Sequence, residues 1–271
     1  GTYSINTFFQ SYGCWYVQTT GIWKTVWMEY VPKLRIDRVK ITPLLSEQAM
    51  EMEFDVHATD YGRELCVEAE ITFEGRFVNK GIFSVPSRRT NAKLKVGVAE
   101  LPELYDIQTW SPERPWLYDL ELRVLYQGKV YDAVRSYFGM REIRIDKNNI
   151  LLNGIPLYQR LILDQGYWKE SNLTPPGEEA LIEDIDKILQ LGYNGLRMHQ
   201  KIEDERFLYW CDVKGMLVWS EAPAAYEYTD DAVEEFTGEW MEIVRQNYNH
   251  PCIITWTPIN ESWGIPFVKT D

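Results

Sequence analysis

The sequence predicts two architectures in succession: an antiparallel β-sandwich up to about Arg144, then a parallel α/β sheet. Three observations carry this. Short alternating strands separated by turn dipeptides fill the first part. Strand and helix then alternate three times and a fourth strand follows, a pattern that favours parallel pairing. That fourth strand lies in Asn249 to Gly264, NHPCIITWTPINESWG. Its apolar and β-branched residues from Cys252 to Trp256 have no polar alternation, as in a strand covered on both faces.

The elements follow in order. Gly21 to Tyr30, GIWKTVWMEY, alternates Ile22, Lys24, Val26 and Met28 against Trp23, Thr25, Trp27 and Glu29. It is expected to end a separate sheet, with a break near Val31-Pro32. Strands are predicted over Ile36 to Ile41, Glu51 to His57, Leu65 to Phe73 and Leu120 to Tyr126, with turns at Tyr61-Gly62, Glu74-Gly75 and Gln127-Gly128. Their spacing fits a sandwich. Leu157 to Leu163 is the first strand of the second part. Glu178 to Leu191 sets Leu181, Ile182, Ile185, Ile188 and Leu189 on one helical stripe, with Pro175-Pro176 before it and Gly192 after it. Asn194 to Met198 is the next strand, Asp204 to Lys214 a helix stopped by Gly215, and Met216 to Trp219 a third strand. Asp231 and Glu234 can form a capping box for a helix with Val233, Phe236, Trp240, Ile243 and Val244 on its apolar face. Pro258 ends the fourth strand, because proline has no N–H with which to extend a ladder.

Composition narrows the chemistry. The 271 residues suffice for more than one core. A net charge of −13 argues against nucleic-acid binding, which needs clustered Lys and Arg. Cys14, Cys66, Cys211 and Cys252 are far apart with no His at metal spacing, so free thiols are expected and neither a disulfide framework nor a metal site. No apolar run approaches transmembrane length. The 11 Trp and 17 Tyr suit a carbohydrate site, and suit a core equally well. A nucleotide-binding sheet is disfavoured, because no Gly-rich turn follows the first strand. The residues alone leave a small open sheet or half a barrel.

In either sheet, chemistry sits at the carboxyl ends of the strands. Asn260 and Glu261 follow the fourth strand there, flanked by Trp256 and Trp263, so Glu261 is a candidate acid or base; the alternative is a surface glutamate. His250 lies at the opposite end of its strand and is read as structural, and Phe207, Tyr209 and Trp210 as core.

Several motifs in order then resemble glycoside hydrolase family 2, the group of β-galactosidases, β-glucuronidases and β-mannosidases. They are TTGIWKTVWMEYVP at 19–32, WSPERPWLYDLEL at 110–122, YFGMREI at 137–143, LNGIPLYQRLILDQGYW at 152–168, the run 192–223 and NHPCIITWTPINES at 249–262. The resemblance implies the end of a jelly-roll sugar-binding domain over 1–32. An immunoglobulin-like sandwich follows over 33–143, and the first half of a (β/α)8 TIM barrel over 144–271. It implies a retaining exo-β-glycosidase, with Glu261 as general acid/base and the nucleophile on a later strand outside this chain. Asn260, Arg197, His199, Asp164, Glu221 and Trp263 are the implied sugar-site residues; Trp168 is a further candidate. After Arg197, Met198-His199-Gln200-Lys201 replaces the Ser-His-Tyr-Pro type of run common in the family, so His199 transfers less directly than Arg197. No cofactor, metal, nucleic acid or membrane is expected. The expected partners are a carbohydrate and either a second copy or a complementing C-terminal half, because half a barrel leaves strand edges unpaired. The compartment is cytoplasmic or periplasmic on this reading. The rival reading is a non-catalytic carbohydrate-binding or scaffold fragment.

Overall fold

The computed structural model describes residues 19, 21–97, 107–223 and 229–261. The chain divides into two compact units: residues 28–158 with 248–251, and the described residues of 1–27, 159–247 and 252–271.

The first unit is built from β1 (Arg35–Leu44), β2 (Ala49–His57), β3 (Leu65–Phe73), β4 (Arg76–Ser84), β5 (Arg89–Lys95), β6 (Tyr118–Tyr126) and β7 (Lys129–Phe138). They form two antiparallel sheets, ordered β1-β2-β5 and β4-β3-β6-β7. Alternate residues of each inner strand point into one shared core. Met50, Met52, Phe54 and Val56 come from β2, Leu65, Val67, Ala69 and Ile71 from β3, and Leu120, Leu122 and Val124 from β6, all at most 1% exposed. Tyr118 stacks on Phe138 with ring centroids 5.2 Å apart, and its hydroxyl accepts the Gln108 N–H at 2.8 Å, so the buried polar tip is satisfied. The hairpins β3–β4 and β6–β7 turn on Glu74-Gly75 and Gln127-Gly128, whose positive φ values at both positions (49° and 74°, 52° and 73°) match the twist of the flanking strands.

Three strands of these two sheets were not foreseen. β4, β5 and β7 are all edge strands, and β4 and β7 expose apolar residues such as Phe77, Ile82 and Val130 among their charged ones. A further antiparallel sheet, β8 (Ile143–Asp146), β9 (Asn149–Leu152) and β10 (Ile155–Pro156), belongs to the same unit. Asn249 docks on β1 by accepting the Ile41 N–H at 2.8 Å and donating to the Val39 carbonyl at 2.9 Å, and His250 meets the Tyr137 hydroxyl at 3.3 Å.

The second unit alternates β11 (Leu161–Asp164), α1 (Glu178–Gln190), β12 (Gly195–Met198), α2 (Glu205–Lys214), β13 (Leu217–Glu221), α3 (Asp230–Asn247) and β14 (Ile253–Thr257). The four strands pair in parallel in sequence order. One face is buried: Leu196, Met198, Val218 and Ser220 are at most 3% exposed. The opposite face carries Leu163, Arg197, Trp219 and Thr255 in register across the sheet. An extra residue in β14, Ile254, shifts the register there and brings Thr255 and Thr257 beside Trp219 and Glu221. Asp204 caps α2 by accepting the Arg206 N–H at 3.0 Å, and Gly215 ends it with φ 76°, a conformation glycine adopts at little cost.

Several expectations change. Gly21 to Tyr30 pairs with no strand among the described residues, and Ile22, Val26, Trp27, Met28 and Tyr30 are exposed. Alternation alone does not make a strand; a hydrogen-bonded neighbour does. The α3 cap is Thr229, whose hydroxyl accepts the Ala232 N–H at 3.1 Å, so the helix starts ahead of the Asp231 capping box. Val233 is exposed and drops out of the α3 stripe, and Tyr209 is exposed although Phe207 is core. Cys66, Cys211 and Cys252 are free thiols, as expected.

Phe54→Ala is expected to destabilise the sandwich by about 3–5 kcal/mol, because it removes a fully buried ring and leaves a cavity. Ile82→Ala, at a side chain 62% exposed, is expected to cost less than about 0.5 kcal/mol. Calorimetric unfolding of the two variants distinguishes them; equal losses would contradict this placement of the core.

Candidate active site

The carboxyl ends of β12, β13 and β14 bring four of the sequence candidates together. Arg197 is on the open face of the sheet, next to Trp219 in the register. Its Nε donates to Glu221 Oε2 at 2.8 Å and its Nη2 to Asn260 Oδ1 at 2.5 Å. Glu221 ends β13 and is fully buried; its other oxygen accepts the Gln200 N–H at 3.0 Å. A buried carboxylate is tolerated only when its charge and lone pairs are met, and here an arginine fork and a backbone amide meet them. Both of its oxygens are thus engaged, one by Arg197 and one by the Gln200 amide.

Asn260 is buried at 5% exposure. A guanidinium can only donate, so the amide oxygen of Asn260 must face Arg197, and its NH2 is the end left to offer to another group. Glu261 follows in a left-handed conformation, φ 55°, and is exposed. Gln200 is also left-handed, φ 51°. Non-glycine residues adopt this region at a cost, and such residues concentrate at functional sites.

His199 is half-buried with Nε2 at 3.9 Å from Glu221 Oε1. Burial lowers its pKa most, and Arg197 adds to this; the Glu221 and Glu261 carboxylates pull the other way without reversing it. The imidazole is therefore neutral near neutral pH.

Asp164 behaves differently. It is in register with Met198 on the covered face, and its Oδ1 accepts the Gly166 N–H at 2.7 Å. Its charge also raises the pKa of Asp184 on α1, after the larger effect of burial. It shapes the loop after β11 instead of facing the open side with Arg197. Trp256 is corrected too: it lies on the covered face, edge-on to Trp240 of α3 at 6.0 Å, and is not a wall beside Glu261. Trp263 lies outside the described residues. Trp168 is half-buried in the loop after β11.

Two contributors escaped the sequence reading. Gln200 acts through its backbone N–H, which no side-chain pattern reveals. Lys201 and Glu203 form a buried ion pair at 2.6 Å, each 3% exposed at the side chain. The signal available was a Lys and a Glu flanking Ile202 between a buried strand and a helix cap.

Residues 34–141 match the family model for Glycosyl hydrolases family 2. A Formosa agariphila protein with a provisional beta-glucuronidase name is 29% identical over 255 residues, spanning 91% of this chain and 30% of that protein. Over residues 34–141 the chain is thus similar to glycoside hydrolase family 2. A Leuconostoc mesenteroides beta-galactosidase is 26% identical to this chain, over 96% of the chain and 26% of the relative. An FMN-binding beta-glucuronidase from Facaelibacterium prausnitzii L2-6 shares the fold, with TM-score 0.72 and 22% identity over 86% of this chain and 37% of that one. The chain spans about a third or less of the length of these curated relatives.

His199 is expected to titrate below the ordinary value of 6.5. The unfolded chain then takes up the proton first, so this histidine's contribution to stability is intact above 6.5 and is lost as pH falls through the window just below it. An NMR titration of the imidazole checks this; a midpoint at or above 6.5 would contradict it. Arg197→Met is expected to cost about 3–5 kcal/mol, because it leaves the Glu221 charge buried without its arginine. Arg197→Met with Glu221→Leu should recover part of the loss.

Proposed function

We propose that this chain is part of a retaining exo-β-glycosidase of the β-glucuronidase or β-galactosidase type. On this reading 1–32 end a jelly-roll domain, 33–143 form an immunoglobulin-like sandwich, and 144–271 begin a (β/α)8 barrel. The four parallel strands β11 to β14 are its first four, and their open face turns toward the barrel axis. Glu261 is the general acid/base, and the nucleophilic carboxylate is supplied by residues outside this chain.

The observation that carries the reading is the Arg197 fork to Glu221 and Asn260, placed beside Glu261 at the carboxyl ends of the strands. Catalytic groups of such barrels sit at that end. The names of the relatives support the reaction class, and they include both sugars, so the sugar is settled by assay.

Each residue then has a task in double displacement, which needs two carboxyl groups about 5–5.5 Å apart. Glu261 gives its proton to the leaving oxygen as the nucleophile attacks the anomeric carbon. The resulting carboxylate takes a proton from water in the second step. Asn260, with its amide oxygen held by Arg197, directs its NH2 toward a sugar hydroxyl. Only two of the five guanidinium N–H groups of Arg197 are used in the fork, so others can stabilise the ionised nucleophile. The neutral His199 can accept or donate one hydrogen bond without adding charge.

In the full-length enzyme, Glu261→Gln is expected to reduce kcat/KM about 10²–10⁴-fold on glycosides with alkyl or sugar leaving groups. The glycosylation step with a dinitrophenyl glycoside should fall by less than about tenfold, because that leaving group departs without protonation. Equal loss on both would remove Glu261 from the acid role. Parallel assays with glucuronide and galactoside decide the sugar.

A further inference from the structure

We propose that Lys201 is a positioning residue: it clamps the loop from β11 to α1, and through that loop it governs sugar binding. The second half of this inference rests on the glycosidase reading above.

The ammonium of Lys201 has three protons and three acceptors. It donates to the Gly166 carbonyl at 2.8 Å, to the Leu173 carbonyl at 3.0 Å, and to Glu203 Oε2 at 2.6 Å. Gly166 stands at the start of the loop and Leu173 in its second half, so one side chain ties two distant points of it together. No uncharged side chain of this length offers three donors from one point. The Trp23 ring lies 4.6 Å from the same ammonium, and the Thr174 hydroxyl donates to the Trp23 carbonyl at 2.9 Å.

Other features of the loop fit the clamp. Trp168 and Asn172 exchange backbone hydrogen bonds at 2.7 and 2.9 Å, which narrows the loop between the two clamped points. Gly166 has φ 63°, and a Cβ there would lie 2.5 Å from Lys201 Nζ and 2.7 Å from Glu203 Oε2. A glycine at this position is therefore needed for the lysine to reach the backbone. The loop leaves the same end of the sheet as Arg197, Glu221 and Asn260, and carries Tyr167 and Trp168. Lys201 also follows Gln200, whose N–H holds Glu221, so one short run fixes both the loop and the Arg197 fork.

The test uses Lys201→Met and Glu203→Gln in the full-length enzyme, with amide exchange and steady-state kinetics measured on each. Lys201→Met is expected to speed exchange at the Trp168 and Asn172 amides by about tenfold or more. It should also raise KM by about tenfold with kcat within about threefold. Glu203→Gln keeps both carbonyl contacts and should shift exchange and KM less. Unchanged exchange in Lys201→Met would overturn the clamp. Faster exchange with unchanged KM, or lost activity that only tracks the unfolded fraction, would overturn the positioning role. If Lys201→Met does not fold, Gly166→Ala displaces the same contacts and must show the same pattern of faster exchange and raised KM. If the unsubstituted enzyme hydrolyses no β-glycoside, the functional reading and the sugar-binding half of the proposal both fail, and exchange still decides the clamp.

Discussion

The fully buried carboxylate of Glu221 is the constraint on which the ends of the parallel strands depend. An ionised group with no exposure must be matched in charge and in lone pairs, or the fold loses several kcal/mol. The match comes from the preceding strand, which is also its neighbour in space: Arg197 from β12, and the Gln200 amide just beyond it. Once Arg197 is drawn to Glu221, its Nη2 is fixed, and so is the orientation of Asn260. Glu261 is bonded in chain to Asn260. A charge placed for structural reasons thus sets the geometry of residues that face outward.

The sandwich unit works by a different rule. Its core needs no charge matching, because β2, β3 and β6 each present an unbroken row of apolar side chains inward. Charges on its outer face are arranged across strands, as with Arg123, Glu68 and Lys80, and lie at the surface where each pair is worth little. The hydrogen bond from Lys80, helped by Arg123, still lowers the pKa of Glu68 against an opposing effect of burial. Apolar burial determines this unit, whereas specific polar contacts determine the strand ends of the other.

That contrast explains what could be read from sequence. β3 was legible to the residue because Leu65, Val67, Ala69 and Ile71 alternate with polar neighbours and a Glu-Gly turn follows. β5 was not, because its inward residues are Thr90, Ala92 and Leu94, too small and mixed to stand out. β4 and β7 were missed as edges whose residues are mostly half-exposed. At the site, Arg197, Asn260 and Glu261 were legible because a strand end can be located from its apolar run and its proline. The direction of a side chain was harder. Asp164 and Trp256 turn to the covered face, which follows from register with Met198 and Ser220 and needs the strand pairing to be known. Gln200 was invisible because its contribution is a backbone N–H in a left-handed turn.

Lys201 and Glu203 show why such a pair persists in the interior. A buried ion pair adds little net stability over apolar residues of the same size. Burial raises the pKa of Glu203, and the Lys201 charge only partly offsets this. What apolar residues cannot do is bind two carbonyls from distant points of one loop. An apolar pair would fill the same space and leave the Gly166 and Leu173 carbonyls to find other partners, so the loop would keep its packing and lose its closure. The ion pair is best understood through the backbone it organises: Glu203 holds the ammonium in place, and the ammonium fixes the chain that leaves β11 beside the arginine fork.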